Sequence, residues 1–131
     1  MRYTLDRRVP LPYAETVALV RAALADQGFG ILTEIDIAAT LKAKLDVDVP
    51  AQVILGACRP PLAHQALQVD PSVAALLPCN VVVRSLGDGE SLVEAVDPQT
   101  MVTLTGNPGL GAVADDAGSR LTAALDALPP S

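Results

Sequence analysis

The sequence predicts an α+β fold, and three observations carry the prediction. Tyr3, Leu5, Arg7 and Val9 alternate with Thr4, Asp6 and Arg8, the period of two that belongs to a strand with one apolar face. Apolar residues recur at three- and four-residue spacing near both ends of the chain, over 13–27 and 110–128, as amphipathic helices require. Between these ends lie short apolar runs broken by proline and glycine, two of them joined by Gly87-Asp88-Gly89, a tight connection expected of a hairpin. The predicted order is strand, helix, four strands, helix, with two smaller helices inserted, in a single domain over 1–131.

The first strand ends at Pro10 and Pro12. From about Tyr13 to Gln27, Val17, Val20 and Leu24 mark one face of an alanine-rich helix, and Gly28 stops it where a left-handed residue costs least. Phe29 to Asp36 is short, apolar and β-branched, a second strand that delivers Glu34 and Asp36 near its end. Ala38 to Leu45 reads as a short surface helix, with Leu41 and Leu45 opposite Lys42 and Lys44. Asp46-Val47-Asp48-Val49-Pro50 leads by a turn into a third strand, Gln52 to Ala57. Pro60 and Pro61 then suit the first turn of a helix, because proline lacks the amide that a helix start leaves unpaired; that helix runs to about Val69. After Asp70-Pro71-Ser72 and one further turn over Val73 to Leu77, Cys79 to Ser85 and Ser91 to Val96 form the fourth and fifth strands, and Asp97-Pro98 ends the sheet. A closing helix from near Pro108 places Leu110, Val113, Ala117, Leu121, Leu125 and Leu128 on one face, with Asp115, Asp116 and Arg120 toward water and Gly118 weakening its middle.

A chain of 131 residues can bury roughly two-thirds of its unfolded surface without a disulfide or a metal. Half of it is hydrophobic, yet Tyr3, Tyr13 and Phe29 are the only aromatics, so the core is built from Val, Leu, Ile and Ala. The net charge of -6 repels a phosphate backbone, and nucleic acid is not an expected partner. The small basic group Arg2, Arg7 and Arg8 reads as the polar face of the first strand rather than an anion site. No apolar leader and no stretch long enough to span a bilayer is present, so a soluble cytoplasmic protein without a membrane partner is expected. In that reducing compartment the two cysteines, Cys58 and Cys79, are better suited to thiol, metal or transient redox chemistry than to a structural disulfide.

Three motifs carry a resemblance. Gly28-Phe29-Gly30-Ile31-Leu32-Thr33-Glu34-Ile35-Asp36, Ile54-Leu55-Gly56-Ala57-Cys58-Arg59-Pro60-Pro61-Leu62-Ala63 and Leu77-Pro78-Cys79-Asn80-Val81-Val82-Val83 occur in this order, and over Ala14 to Met101 the chain resembles the bacterial "domain of unknown function 302" family. The resemblance implies a TATA-binding-protein-like scaffold, a curved, largely antiparallel five-stranded sheet with two long helices across one face. It implies no catalytic residues and no cofactor. In one position the chain departs from the pattern, with Arg59 where asparagine usually follows the first cysteine.

Cys58 and Cys79 both stand where an apolar run meets a proline turn, and they are the strongest candidate site. The helix beginning at Pro60 favours the thiolate of Cys58 through its free amides and the positive end of its dipole, and Arg59 adds a neighbouring charge. The alternative is a small buried apolar residue at a strand end. His64, the only histidine, completes a candidate Cys58, Cys79, His64 set for zinc or monovalent copper. The twenty residues between the cysteines are unlike a close Cys-x-x-Cys knuckle. Glu34 and Asp36 point to one side of their strand, about 7 Å apart, suited to acid/base work or a hard cation, unless Asp36 caps the next helix. Gly106-Asn107-Pro108-Gly109-Leu110-Gly111 lacks the order of a phosphate loop and reads as a helix start.

These features lead first to a binding or sensing module, a homodimer whose small-molecule or soft-metal ligand sits at the Cys58 and Cys79 rim or between sheet and helices. The second expectation is an enzyme with Cys58 as nucleophile and Glu34 or His64 as its base. The third is a structural homodimer whose exposed face serves a partner.

Overall fold

A computed structural model describes residues 2–130. Five strands, β1 (Thr4–Val9), β2 (Gly30–Asp36), β3 (Gln52–Cys58), β4 (Cys79–Gly87) and β5 (Glu90–Val96), form one open antiparallel sheet in the order β1-β5-β4-β3-β2. The helices are α1 (Tyr13–Asp26), α2 (Ile37–Leu45), α3 (Pro60–Val69), α4 (Gln99–Thr105) and α5 (Gly111–Asp126), with 3-10 turns at Pro71–Leu76 and Pro108–Leu110. Among the described residues no helix is long and apolar enough to cross a membrane.

Alternate residues of the strands build the core. Val53, Leu55 and Ala57 of β3, Val81 and Val83 of β4, and Val93 and Ala95 of β5 are buried on one face of the sheet. Val20, Ala23 and Leu24 of α1 and Leu121, Ala124 and Leu125 of α5 pack onto that face, so the two helices predicted from their period lie side by side across it. A second apolar cluster forms where α3 and α4 meet the first half of α5, from Leu62, Ala66, Val73, Met101, Val113 and Ala117. The opposite sheet face carries no helix of the main core.

Three details differ from the sequence prediction. Helix α4 was not expected, because Gln99–Thr105 holds three threonines and a valine, poor helix formers. Asp97 accepts the Gln99 amide at 3.0 Å, and the hydroxyls of Thr100, Thr103 and Thr105 donate back to main-chain carbonyls, which satisfies the segment locally. β2 bulges between Ile31 and Thr33, so Thr33 comes to lie opposite Gly56. A Cβ at Gly56 would overlap the Thr33 side chain and approach the Pro78 ring to 2.9 Å, which is why this strand position holds glycine. Finally, Arg7 does not belong with Arg2 and Arg8. It lies on the helix side of β1 and donates to the Leu128 carbonyl at 2.9 Å, closing the C-terminal end of α5 with positive charge.

Candidate functional site

The antiparallel pairing of β3 and β4 settles where the cysteines go. Ala57 stands opposite Cys79, so Cys58, the last residue of β3, and Cys79, the first of β4, are diagonal neighbours at one end of the ladder. Both thiols are reduced and half-buried. Both residues border one apolar cavity of about 20 Å³, at the junction of the main core and the second cluster, and Cys79 packs against the main core. Its other walls include Phe29, Leu62, Leu77 and Met101, with Arg59 beside Cys58. A space of that size holds about one water-sized species, and its lining offers few polar partners to a water.

Burial first, and the neighbouring Cys58 second, together push the Cys79 thiol up to about 11. The reason advanced for a reactive Cys58 fails in one respect. Pro60 and Pro61 occupy the first turn of α3 without amides, and the next two amides, of Leu62 and Ala63, already donate to the Arg59 carbonyl at 3.0 and 3.1 Å. No free N–H of the helix start is left for a thiolate. Arg59 is the cation at the site: its Nε is buried without a hydrogen-bond partner, it forms no ion pair among the described residues, and its side chain lies over Gly28, whose φ is 83°.

The remaining candidates are held elsewhere. His64 is exposed on α3 and does not line the cavity. Among the described residues no group of three or more His, Cys, Asp or Glu side chains is placed to hold a metal ion, so the Cys58, Cys79, His64 set does not assemble. Glu34 is paired with Arg21 of α1 at 2.6 Å, and Asp36 accepts the Ala39 amide at 2.8 Å as the N-cap of α2. Both carboxylates do face the helix side, where they add to the burial that raises the Tyr13 hydroxyl. Glu34 pairs with Leu55, three residues along β3 from Cys58 and on the order of 10 Å away, so neither it nor His64 is positioned as a base for that thiol. The glycine-rich segment before α5 is a turn in which Asn107 accepts the Gly109 amide at 2.9 Å.

The model of the family described as "Domain of unknown function DUF302" matches residues 5–128. The chain belongs to the DUF302 family. The match takes in β1 and α5 and so extends beyond the three motifs at both ends. A solved DUF302 structure, an uncharacterized conserved protein from Bacillus stearothermophilus, superposes with a TM-score of 0.88 at 28% identity, over 96% of this chain and 98% of that one. No curated protein matches the chain.

Sequence reasoning missed Met101 for this DUF302 site. It belongs to the unexpected helix α4, and the one signal that could have raised it is scarcity: the chain has two cysteines and two methionines.

Proposed function

We propose that this DUF302 protein is a small binding or sensing module whose site is the thiol pair Cys58 and Cys79. One observation carries the reading: two cysteines far apart in sequence border the same apolar cavity, on adjacent strands. The cavity is too small for an organic ligand, so the site responds to something that acts on sulfur itself. Neither acid nor base stands at Cys58, which ranks this reading above a cysteine-nucleophile enzyme.

Arsenous acid tests the pair. Two thiols displace two of its hydroxyls as water, forming two As–S bonds with no change of oxidation state, whereas a single thiol holds it weakly. In native wild type, arsenous acid should protect both cysteines from a maleimide. The remaining thiol of Cys58→Ala or Cys79→Ala should lose that protection. Native thiols inert to the maleimide, or protection equal in the single variants, would sink the reading.

A second reading, assembly as a homodimer through the bare sheet face, has its own support. Ile54, Val82, Leu92 and Val96 lie there half-buried and Ile35 is 46% exposed. The charges of that face cancel in three ion pairs, Arg2 with Asp6, Arg8 with Glu90 and Arg84 with Glu94, although the whole chain carries -6. Two copies can therefore meet there without the repulsion expected of other faces. Sedimentation velocity should show a dimer for wild type and a folded monomer for Ile35→Asp; a wild-type monomer at micromolar concentration rejects the dimer.

A further inference from the structure

We infer that Tyr3 anchors the homodimer, each copy seating this ring in a groove on the bare sheet face of the other. The inference deepens the homodimer reading and rests on it. The groove has a volume of about 490 Å³ and crosses the sheet obliquely, from Tyr3 and Thr4 at β1, over Val96 and Glu94 of β5 and Val82 of β4, to Gln52 of β3. Thr4 pairs with Val96 and Gln52 pairs with Arg84, so Tyr3 and Gln52 mark its opposite ends. Val82 and Val96 give it an apolar floor, and Asn80 and Gln52 bring side-chain amides to it. The chain has three aromatic residues, and Tyr3 is the one that faces solvent: it is 68% exposed, whereas Phe29 is buried and Tyr13 half-buried.

The main chain of Tyr3 is pinned. Its carbonyl accepts the Asp97 amide at 2.8 Å, which fixes the residue at the rim of the groove before β1 begins. A tyrosine on a fixed backbone has few torsions left to order on binding, and tyrosine is enriched at the hot spots of interfaces. The groove offers valines to the body of the ring and amides to its hydroxyl, which takes a hydrogen-bond partner once buried. A two-fold axis in the plane of the contact, across the middle of the groove, reverses it end for end and lays each Tyr3 on the Gln52 end of the other copy. That end has no aromatic of its own, so the two rings do not compete for one place. Charge favours a second copy over an ionic partner. The Arg84–Glu94 pair inside the groove is closed at 2.8 Å, so this face meets its own copy without the repulsion that a chain of -6 meets elsewhere. Two buried rings supply roughly 400 Å², about a quarter of a standard interface of about 1,600 Å².

The test is sedimentation velocity of the full chain over a dilution series. Tyr3→Ala should weaken the dimer by at least about tenfold, the effect of losing a hot-spot side chain, while Tyr3→Phe, which keeps the ring, should retain most of the affinity. If Tyr3→Ala dimerises as tightly as wild type while Ile35→Asp is a monomer, the anchor is overturned and the dimer through the sheet face stands. If wild type is itself a monomer at micromolar concentration, the dimer is rejected and the anchor with it, and the groove belongs to another occupant. A second measurement removes dependence on the alanine variant. A photo-reactive benzoylphenylalanine in place of Tyr3, in a mixture of isotopically light and heavy chains, should cross-link between copies to the peptide that carries Gln52. Cross-links found only within one chain, or between copies only to helical peptides, overturn the seating of Tyr3 in the groove.

Discussion

Replacing Leu121 by alanine should destabilise the protein by about 2–5 kcal/mol, the range for truncating a buried leucine whose surroundings collapse only in part. Leu121 is 1% exposed in the middle of α5, facing Val20, Ala23 and Leu24 of α1 and Val81 and Ala95 of the sheet. These neighbours already enclose a void of about 10 Å³, which the truncation would enlarge. The surrounding side chains are small and largely β-branched or alanine, with few rotamers available to fill the space. Gly118, one turn earlier, leaves α5 with less intrinsic helix propensity to resist the loss. Urea denaturation should show the midpoint falling with an unchanged slope. Leu104→Ala, at a side chain 70% exposed on α4, should change stability by no more than about 0.5 kcal/mol. Equal effects at the two positions would refute the assignment of the core.

The second large effect is alkaline. Cys79 holds its proton up to about pH 11 in the native protein, through burial first and Cys58 second, against an ordinary thiol value of 9.0. The folded state thus binds this proton more tightly than the unfolded state does. Its contribution is complete below pH 9 and is lost as the pH rises to 11, amounting to at most about 3 kcal/mol. Tyr13 is also raised, so wild type alone cannot isolate the thiol. Between pH 9 and pH 11, wild type should therefore lose up to about 3 kcal/mol more stability than Cys79→Ala, measured by urea unfolding at each pH. Parallel pH profiles would show that Cys79 is not held in an apolar wall.

The thiol site and the core report on the same construction. Cys79 continues the alternation of Val81 and Val83 along the buried face of β4, so its burial comes with the register rather than from any local signal. Arg7 makes a similar point from the opposite direction. Its alternation with Leu5 and Val9 was visible in the sequence, and it places the guanidinium on the helix side of β1; only the packing of α5 shows that this charge is taken up by the Leu128 carbonyl. Asp36 combined two readings that the sequence left open, and the 2.8 Å bond to Ala39 decides for the cap.

Local pattern was enough to determine the order of the elements apart from α4, the two long helices, the β4–β5 hairpin and the buried face of α5, because periodicity and turn chemistry act over neighbouring residues. The position of the two cysteines at strand ends before proline turns was equally legible. The placing of Cys58, Cys79 and Met101 around one cavity was not: it depends on the β3–β4 register, on a helix whose threonines disguised it, and on the docking of that helix against α5. The proline amides missing from the start of α3, and the exposure that keeps His64 out of the site, follow from the same three-dimensional placement. Contacts across strands and helices are set by the energy of burying distant apolar surface together. Such long-range terms decide which of the residues legible in the chain become neighbours.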